Sequence, residues 1–130
     1  TLFRSNASAA MRIVDGLDPK HAGIFGDAGH LSMVGEPLGM AMDICWRYLD
    51  CFALKDLVWD KEPGKIDGVR RLKVVPFGYG MSEWGELAAE FKKRGYDKPL
   101  SFHCEYSGYP PECVLGQCYV DVQFFRKLMA

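Results

Sequence analysis

Apolar residues recur along the chain at spacings that predict alternating helices and strands. Between residues 6 and 16 they return every three or four positions and stop at Gly16, which predicts a first helix. The apolar run 22–26 predicts a short buried strand that leads directly into Asp27. Glu36-Pro37 opens the next predicted helix, because proline is favoured in the first helical turn. The predicted apolar face of that helix consists of Leu38, Ala41, Met42, Cys45, Tyr48 and Leu49.

The rest of the chain repeats this alternation of strand and helix. Residues 51–54 and 100–105 form two further predicted strands, the last of which ends in Glu105. A long connection over residues 59–81 separates them, with a short alternating piece around 71–75. Two more helices are predicted, one capped by Ser82 and ended by Gly95, the other starting at Pro110-Pro111. Strands that alternate with helices in this way pair in parallel, so the pattern predicts an α/β fold, either a doubly wound sheet or a (β/α)8 barrel.

Composition and charge exclude several classes of protein. The 130 residues include 16 Lys and Arg against 17 Asp and Glu, a net charge of −1, without the basic surplus of a nucleic-acid binder. No apolar run reaches the roughly 18 to 20 residues of a membrane-spanning helix, so neither nucleic acid nor membrane is a predicted partner. Residues 1–5 show no period and are set apart as a scar or a disordered start. Residues 6–130 are predicted to form one partial domain.

Five cysteines occur, an odd number without a Cys-x-x-Cys pair. Neither a disulfide framework nor a structural zinc site is expected from such spacing. The cysteines are therefore predicted to be small buried side chains in a reducing, cytoplasmic compartment. Cys104 lies between His103 and Glu105, but strand alternation turns it to the opposite side, which argues against a Cys-His nucleophile.

Polar residues follow each of the three predicted strands, where parallel strands bring their carboxyl ends together in one cleft. Asp27 with His30 follows the first strand, and Lys55 with Asp56 follows the second. The third strand ends in Glu105, preceded by His103. Each residue taken alone has a plain structural explanation; Asp27, for example, could cap the turn before Gly29. Together they indicate a site, because converging carboxylates repel each other unless a cation or a proton is shared.

Three further groups of residues leave a structural and a functional interpretation open. Gly78-x-Gly80 could cradle a phosphate or simply form a turn. Trp59 could stack on a sugar or belong to the core or rim. The basic residues of the long connection could steer an anionic sugar or form a solvated face; these are Arg70, Arg71 and Lys73.

Five motifs, in the correct order across nearly all of residues 17–110, resemble the C-terminal part of the xylose isomerase-like TIM-barrel family, the sugar phosphate isomerases and epimerases. The motifs are Gly26-Asp27-Ala28-Gly29-His30-Leu31, Leu54-Lys55-Asp56, Val75-Pro76-Phe77-Gly78-Tyr79-Gly80, Gly95-Tyr96-Asp97 and Ser101-Phe102-His103-Cys104-Glu105-Tyr106. The resemblance implies that the chain contributes the last three strands of a (β/α)8 barrel.

The resemblance also implies a function and a set of site residues. It implies a divalent-metal-dependent isomerase or epimerase of a small sugar, working through an enediolate-type intermediate. Asp27 and Glu105 match metal ligands, Glu105 also matches an acid/base, and His30 matches a catalytic histidine that touches substrate. Lys55, His103 and Trp59 are the other predicted substrate-binding residues. The expected metal is Mn²⁺, Mg²⁺ or Co²⁺.

One departure from the family pattern leaves alternatives open. Family members often read His-Leu-Lys-Asp where this chain reads Ala53-Leu54-Lys55-Asp56, so a metal-ligating histidine is absent and metal binding is expected to be weakened or lost. Tyr79 likewise replaces an acidic residue often found between two glycines. A non-catalytic sugar-binding relative is therefore the main alternative, whereas a DNA-repair endonuclease of the same superfamily fits poorly with three histidines and a charge of −1. A three-strand chain is also expected to need a missing N-terminal half or to self-associate.

Overall fold

Three parallel strands form the central sheet of the protein. The computed structural model describes residues 6–64 and 68–130, so the predicted scar or disordered start at residues 1–5 lies outside the described residues. Strands β1 (Ile24–Asp27), β2 (Leu49–Leu54) and β5 (Leu100–Phe102) pair in the order β1-β2-β5. The prediction of three parallel strands separated by helices is confirmed.

Helices flank this sheet, and all four predicted helices are present. The helices in the described residues are α1 (Ala7–Val14), α2 (Ala28–Val34), α3 (Leu38–Cys45), α4 (Trp84–Arg94) and α5 (Pro111–Met129). The sequence analysis missed α2, because a seven-residue helix is too short to display an apolar period. It begins directly after β1, with Asp27 as its N-cap, and ends at Gly35, whose φ of 70° suits glycine.

The boundary between α3 and β2 was predicted wrongly. Tyr48 and Leu49 were placed on the apolar face of the helix, but α3 ends at Cys45 and Trp46–Tyr48 form a 3-10 turn. Leu49 is the first residue of β2, two positions before the predicted start of that strand. Both side chains are buried. Buried apolar residues at these positions fit the end of a helix as well as the start of a strand. The spacing of apolar residues therefore could not locate the boundary between α3 and β2.

The long connection contains an antiparallel hairpin. Strand β3 (Asp56–Lys61) pairs with β4 (Arg70–Val75), from Asp56 opposite Val75 to Lys61 opposite Arg70. The sequence analysis recognised the alternation near residues 71–75 but missed β3, whose apolar residues are consecutive rather than alternating. This hairpin follows β2 and therefore leaves the sheet at the carboxyl ends of the parallel strands.

Two predicted element ends also differ from the structure. Ser82 was assigned as the cap of α4, but Glu83 occupies the N-cap position, and Ser82 Oγ instead donates a hydrogen bond to the Lys55 carbonyl oxygen at 3.0 Å. The last strand was predicted to reach Glu105 but ends at Phe102. His103 and Glu105 consequently lie in the loop between β5 and α5, where their direction is set by tertiary contacts.

The core lies between the sheet and the helices. Phe52 of β2 packs edge-on against Phe91 of α4, with ring centroids 5.2 Å apart, and both side chains are 1% exposed. Gly26 of β1 lies against the same cluster, and a Cβ there would come within 2.5 Å of the Phe52 ring. Residue 26 must therefore be glycine if β1 is to pack this closely on the core.

The five cysteines are free thiols, but their burial differs from the prediction. Cys45 is buried, whereas Cys113 is exposed and Cys51, Cys104 and Cys118 are half-buried. Cys113 lies near the start of α5, on its exposed side. In the described part of the chain, no helix combines the length and apolar character that crossing a membrane requires.

Candidate functional site

Asp27 joins the first strand to the helix that follows it. As the N-cap of α2, its Oδ1 accepts a hydrogen bond from the His30 N–H at 3.0 Å. Its Oδ2 lies 3.6 Å from His30 Nδ1. The capping role considered for Asp27 is thus present, and it fixes the carboxylate so that the second oxygen remains available to other groups.

The Lys55 side chain lies between two carboxylates. Its Nζ is 3.0 Å from Glu105 Oε2 and 3.9 Å from Asp27 Oδ2. The side chain of Lys55 is only 10% exposed. Asp27 is the register partner of Ala53 in β2, and Lys55 follows two residues later. Alternation along the extended chain therefore places Lys55 on the same face as Asp27.

Glu105 extends from the loop after β5 towards this lysine. Its side chain is 65% exposed, and the hydrogen bond from Lys55 holds the pKa of its carboxyl below the usual glutamate range. The carboxylate is therefore charged at neutral pH and can accept a proton. Burial acts in the opposite direction on the neighbouring Cys104 and raises the pKa of its thiol to about 11, which leaves that thiol a poor nucleophile.

Two contacts hold the loop that carries Glu105. Ser107 and Val74 of β4 exchange hydrogen bonds, from Ser107 N–H to the Val74 carbonyl at 2.9 Å and from Val74 N–H to Ser107 Oγ at 3.0 Å. Tyr106 donates its O–H to Asp121 Oδ2 of α5 at 2.7 Å. The sequence analysis missed both residues that receive this loop. A single aspartate on a long helix gives no sequence sign that it is 1% exposed.

A cavity of about 540 Å³ opens at this end of the sheet. Polar side chains form one part of its wall, and residues of α1, α3 and β1 form an apolar part. The polar residues are Asn6, Asp27, His30, Lys55, His103 and Glu105. His103 packs edge-on against Phe25 at 5.9 Å, and its Nδ1 is a buried atom without a hydrogen-bond partner in the described residues.

The structure therefore brings together five of the six predicted site residues. Trp59 is the exception: it lies on β3, is 41% exposed and is not among the described residues that line the cavity. The sequence around Trp59 does not alternate between apolar and polar residues, so β3 was not predicted there. The analysis therefore treated Trp59 as the residue after a strand end, when it lies within a second sheet.

The Gly78-x-Gly80 segment forms a turn around a buried carboxylate. The N–H groups of Gly78 and Gly80 both donate to Asp56 Oδ2, at 2.9 and 3.0 Å, and are not free to bind a phosphate. Arg71 and Lys73 of the hairpin pair with Glu62 and Asp60. The structural interpretation of these glycines is confirmed, and these two basic side chains already have anionic partners.

The sequence matches one known family over most of its length. A profile of the xylose isomerase-like TIM barrel family matches residues 1–118. The chain belongs to this family. The family assignment agrees with the parallel β1-β2-β5 sheet and its flanking helices. No curated protein is significantly similar in sequence.

Several solved structures share the fold of this family member. A xylose isomerase-like TIM barrel protein from Mycobacterium smegmatis, in complex with magnesium, superposes with a TM-score of 0.64 at 17% identity, covering 97% of this chain and 41% of its own. A xylose isomerase domain protein from Planctomyces limnophilus has a TM-score of 0.65 at 20% identity, with 97% and 43% covered. D-psicose 3-epimerase from Clostridium cellulolyticum H10, solved with D-tagatose, has a TM-score of 0.64 at 14% identity, with 95% and 44% covered. The chain spans less than half the length of each, as a fragment of the barrel would.

The divalent metal implied by the family does not fit the side chains that this chain provides. Within residues 6–64 and 68–130, no three His, Cys, Asp or Glu side chains lie together in a group that could hold a metal ion. Ala53 offers a methyl group where family members often have histidine. The carboxylates of Asp27 and Glu105 do converge, but they converge on the Lys55 ammonium. Metal-ligand roles for Asp27 and Glu105 remain predictions from the resemblance.

Proposed function

We propose that this chain is the C-terminal part of an isomerase or epimerase that acts on a small sugar or a related polyol. The observation that carries the proposal is the convergence of Glu105 and Asp27 on Lys55 at the polar end of the 540 Å³ cavity. The volume of this cavity lies within the range of small-molecule pockets, about 300–1,000 Å³. The similarity to a sugar epimerase solved with D-tagatose supports the same class of substrate.

The proposed chemistry starts from Glu105 as the base. The carboxylate takes a proton from the carbon next to the sugar carbonyl, and the C–H electron pair forms the C=C bond of an enediolate, whose negative charge goes to the carbonyl oxygen. For an isomerisation, a proton is returned to the former carbonyl carbon, and the hydroxyl proton on the first carbon passes to the former carbonyl oxygen, so that the carbonyl group changes position. For an epimerisation, a proton is returned to the other face of the first carbon, and the original carbonyl group is restored. The second acid/base group would come from strands outside this chain.

The other polar residues are proposed to orient the substrate. His30 and His103 line the cavity and would contact the hydroxyl groups of a sugar. Lys55 faces the same space and would contact a substrate oxygen. Trp59 stays a predicted sugar contact from the sequence, although it lies away from the cavity. A cytoplasmic location likewise stays a prediction.

Solvent-exchange measurements test the proposed reaction. The full-length protein is incubated in D2O with a panel of ketoses and their phosphates, and deuterium incorporation next to the carbonyl is followed by NMR. We expect exchange with at least one sugar, and no turnover by the isolated 130 residues, because the opposing acid/base group is absent from them. Turnover by the isolated chain that depends on Glu105 would contradict this account of the missing half.

A non-catalytic sugar-binding protein is the second candidate, favoured by Ala53. The same panel distinguishes the two functions, because sugar binding without any deuterium exchange by the full-length protein would establish the binding role. Sugar binding is measured by adding each sugar in steps and following the NMR chemical shift of His103. A protein that neither exchanges nor binds any sugar of the panel would refute both candidates.

We also propose that the open sheet is completed by other strands, from an upstream segment or a second copy. Among the residues that the structure describes, β1 and β5 each have one unpaired edge, and unpaired edges associate. Several large apolar side chains on α5 are exposed, among them Leu115, Tyr119 and Val120. Sedimentation of the 130-residue chain is expected to show dimers or larger species. A monomer that unfolds cooperatively and binds no hydrophobic dye would contradict the expectation.

A further inference from the structure

We propose that the ammonium group of Lys55 is the resident cation of this site, taking the place of a divalent metal ion between Asp27 and Glu105. This cation also supplies the positive charge that meets the oxygen of the substrate. The second statement rests on the proposed function, whereas the first concerns only the residues of this chain. The two can therefore be tested separately.

The position of Lys55 Nζ carries the proposal. Nζ is 3.0 Å from Glu105 Oε2 and 3.9 Å from Asp27 Oδ2, and its side chain is 10% exposed. A divalent cation bound by both carboxylates would lie about 2.0–2.6 Å from their oxygens. An ion held by this pair of carboxylates would lie close to the ammonium, so the two cations would compete for the carboxylates and repel each other.

Residue 53 explains why the lysine prevails in this chain. Ala53 is the register partner of Asp27, lines the same cavity and is 1% exposed. A histidine there would offer a neutral nitrogen ligand and help an ion to compete with the lysine. The methyl group of alanine offers no donor. The negative charge of the two carboxylates is instead offset in part by the Lys55 ammonium.

The same placement suits Lys55 to act on a substrate. An ammonium has three N–H donors, of which one is used by Glu105 Oε2 at 3.0 Å, whereas Asp27 Oδ2 at 3.9 Å lies beyond hydrogen-bond distance. Donors therefore remain for an oxygen of the substrate. A positive charge that is largely withdrawn from water stabilises developing negative charge better than an exposed one. Lys55 would therefore bind the carbonyl oxygen beside the carbon from which Glu105 removes a proton.

Manganese binding tests the first statement on the 130-residue chain and on the full-length protein, both freed of metal with EDTA. Titration with Mn²⁺ alone, followed by electron paramagnetic resonance, is expected to give no binding tighter than millimolar. Lys55→Met is expected to release the carboxylate pair and raise the Mn²⁺ affinity at least tenfold. The double variant with Ala53→His is expected to raise it further. Lys73→Met is the matched control, because Lys73 is exposed and pairs with Asp60 on the hairpin.

Two results would overturn the assignment. One is tight Mn²⁺ binding by the unmodified protein that is lost in Asp27→Ala. The other is an unchanged Mn²⁺ affinity in folded Lys55→Met, with folding checked by its unfolding midpoint. If Lys55→Met fails to fold, Lys55→Gln replaces it, since its amide keeps a hydrogen bond to Glu105 without the charge.

Sugar binding and exchange by the full-length protein test the second statement. Removal of metal is expected to leave both unchanged. Lys55→Met is expected to weaken sugar binding or exchange at least tenfold, without recovery on addition of Mn²⁺. Exchange that disappears with EDTA and returns with Mn²⁺ would refute the role of Lys55 while leaving the proposed isomerase function intact. The absence of exchange and binding under all conditions would refute the proposed function, and the manganese titration would still decide which cation occupies the site.

Discussion

Replacing Asp56 with alanine is expected to remove most of the folding stability of the protein. The Asp56 carboxylate is 0% exposed and accepts five hydrogen bonds at 2.9–3.0 Å, from Leu57 N, Gly78 N, Gly80 N, Ser82 N and Trp84 Nε1. Each buried donor left without an acceptor costs about 1–3 kcal/mol. We expect a loss of about 4 kcal/mol or more in the free energy of unfolding, which is among the largest effects of single substitutions.

Urea denaturation followed by tryptophan fluorescence measures this loss. The matched control is Asp60→Asn on the same strand, where the carboxylate is exposed and pairs with Lys73. Its unfolding midpoint is expected to stay that of the unmodified protein. Equal midpoints for both variants would mean that the five hydrogen bonds do not hold the turn over residues 76–84 together.

Replacing Glu105 with glutamine is expected to lower the exchange rate of the full-length protein by about 10²–10⁴-fold, the usual contribution of a general base. Glutamine keeps the shape and a hydrogen bond to Lys55 but cannot accept the proton. Sugar affinity is expected to change little, because binding relies on the other polar residues of the cavity. Glu112→Gln, at an exposed position on α5, is the control and is expected to leave the rate unchanged.

The pH dependence of the exchange rate is an independent test of Glu105 as the base. Lys55 lowers the pKa of Glu105, so the carboxylate is expected to stay deprotonated through neutral and mildly acidic pH. The rate should fall only as the pH drops through that lowered pKa. In Lys55→Met the lowering is lost, and the acid limb should move to higher pH. A Glu105→Gln protein with the full rate would show that another group removes the proton.

The main helices and strands could be predicted from local pattern because each is formed mostly by contacts within a short segment. Gly95 marked the end of α4, and the apolar side chains of Trp84, Leu87 and Phe91, three or four residues apart, are all buried. Prediction failed where one local pattern suits two structures. Tyr48 and Leu49 satisfy a helical spacing as well as the start of a strand, and β3 has no alternation.

The sequence predicted where in the fold the candidate site lies, but not which of its side chains contact each other. Parallel strands must bring Asp27, Lys55 and Glu105 to one end of the sheet. The ammonium lies between the carboxylates because of contacts across 28 and 50 residues of sequence. The spacing of residue types along the sequence does not predict contacts between residues so far apart in the chain. Trp59 was expected to follow a strand end, whereas it lies within β3, opposite Leu72 of β4.

By itself, the sequence determined the alternation of strands and helices, the family resemblance and the polar end of each strand, because these follow from residue type and short-range periodicity. Only the tertiary structure decided what each polar residue contacts. Asp56 and Asp27 are both aspartates at strand ends, yet Asp56 is enclosed by five donors whereas Asp27 lines the cavity beside Lys55. The physical reason is that a side chain's partners come from segments that the crossovers bring together, and burial then decides whether a carboxylate holds the fold or faces a substrate.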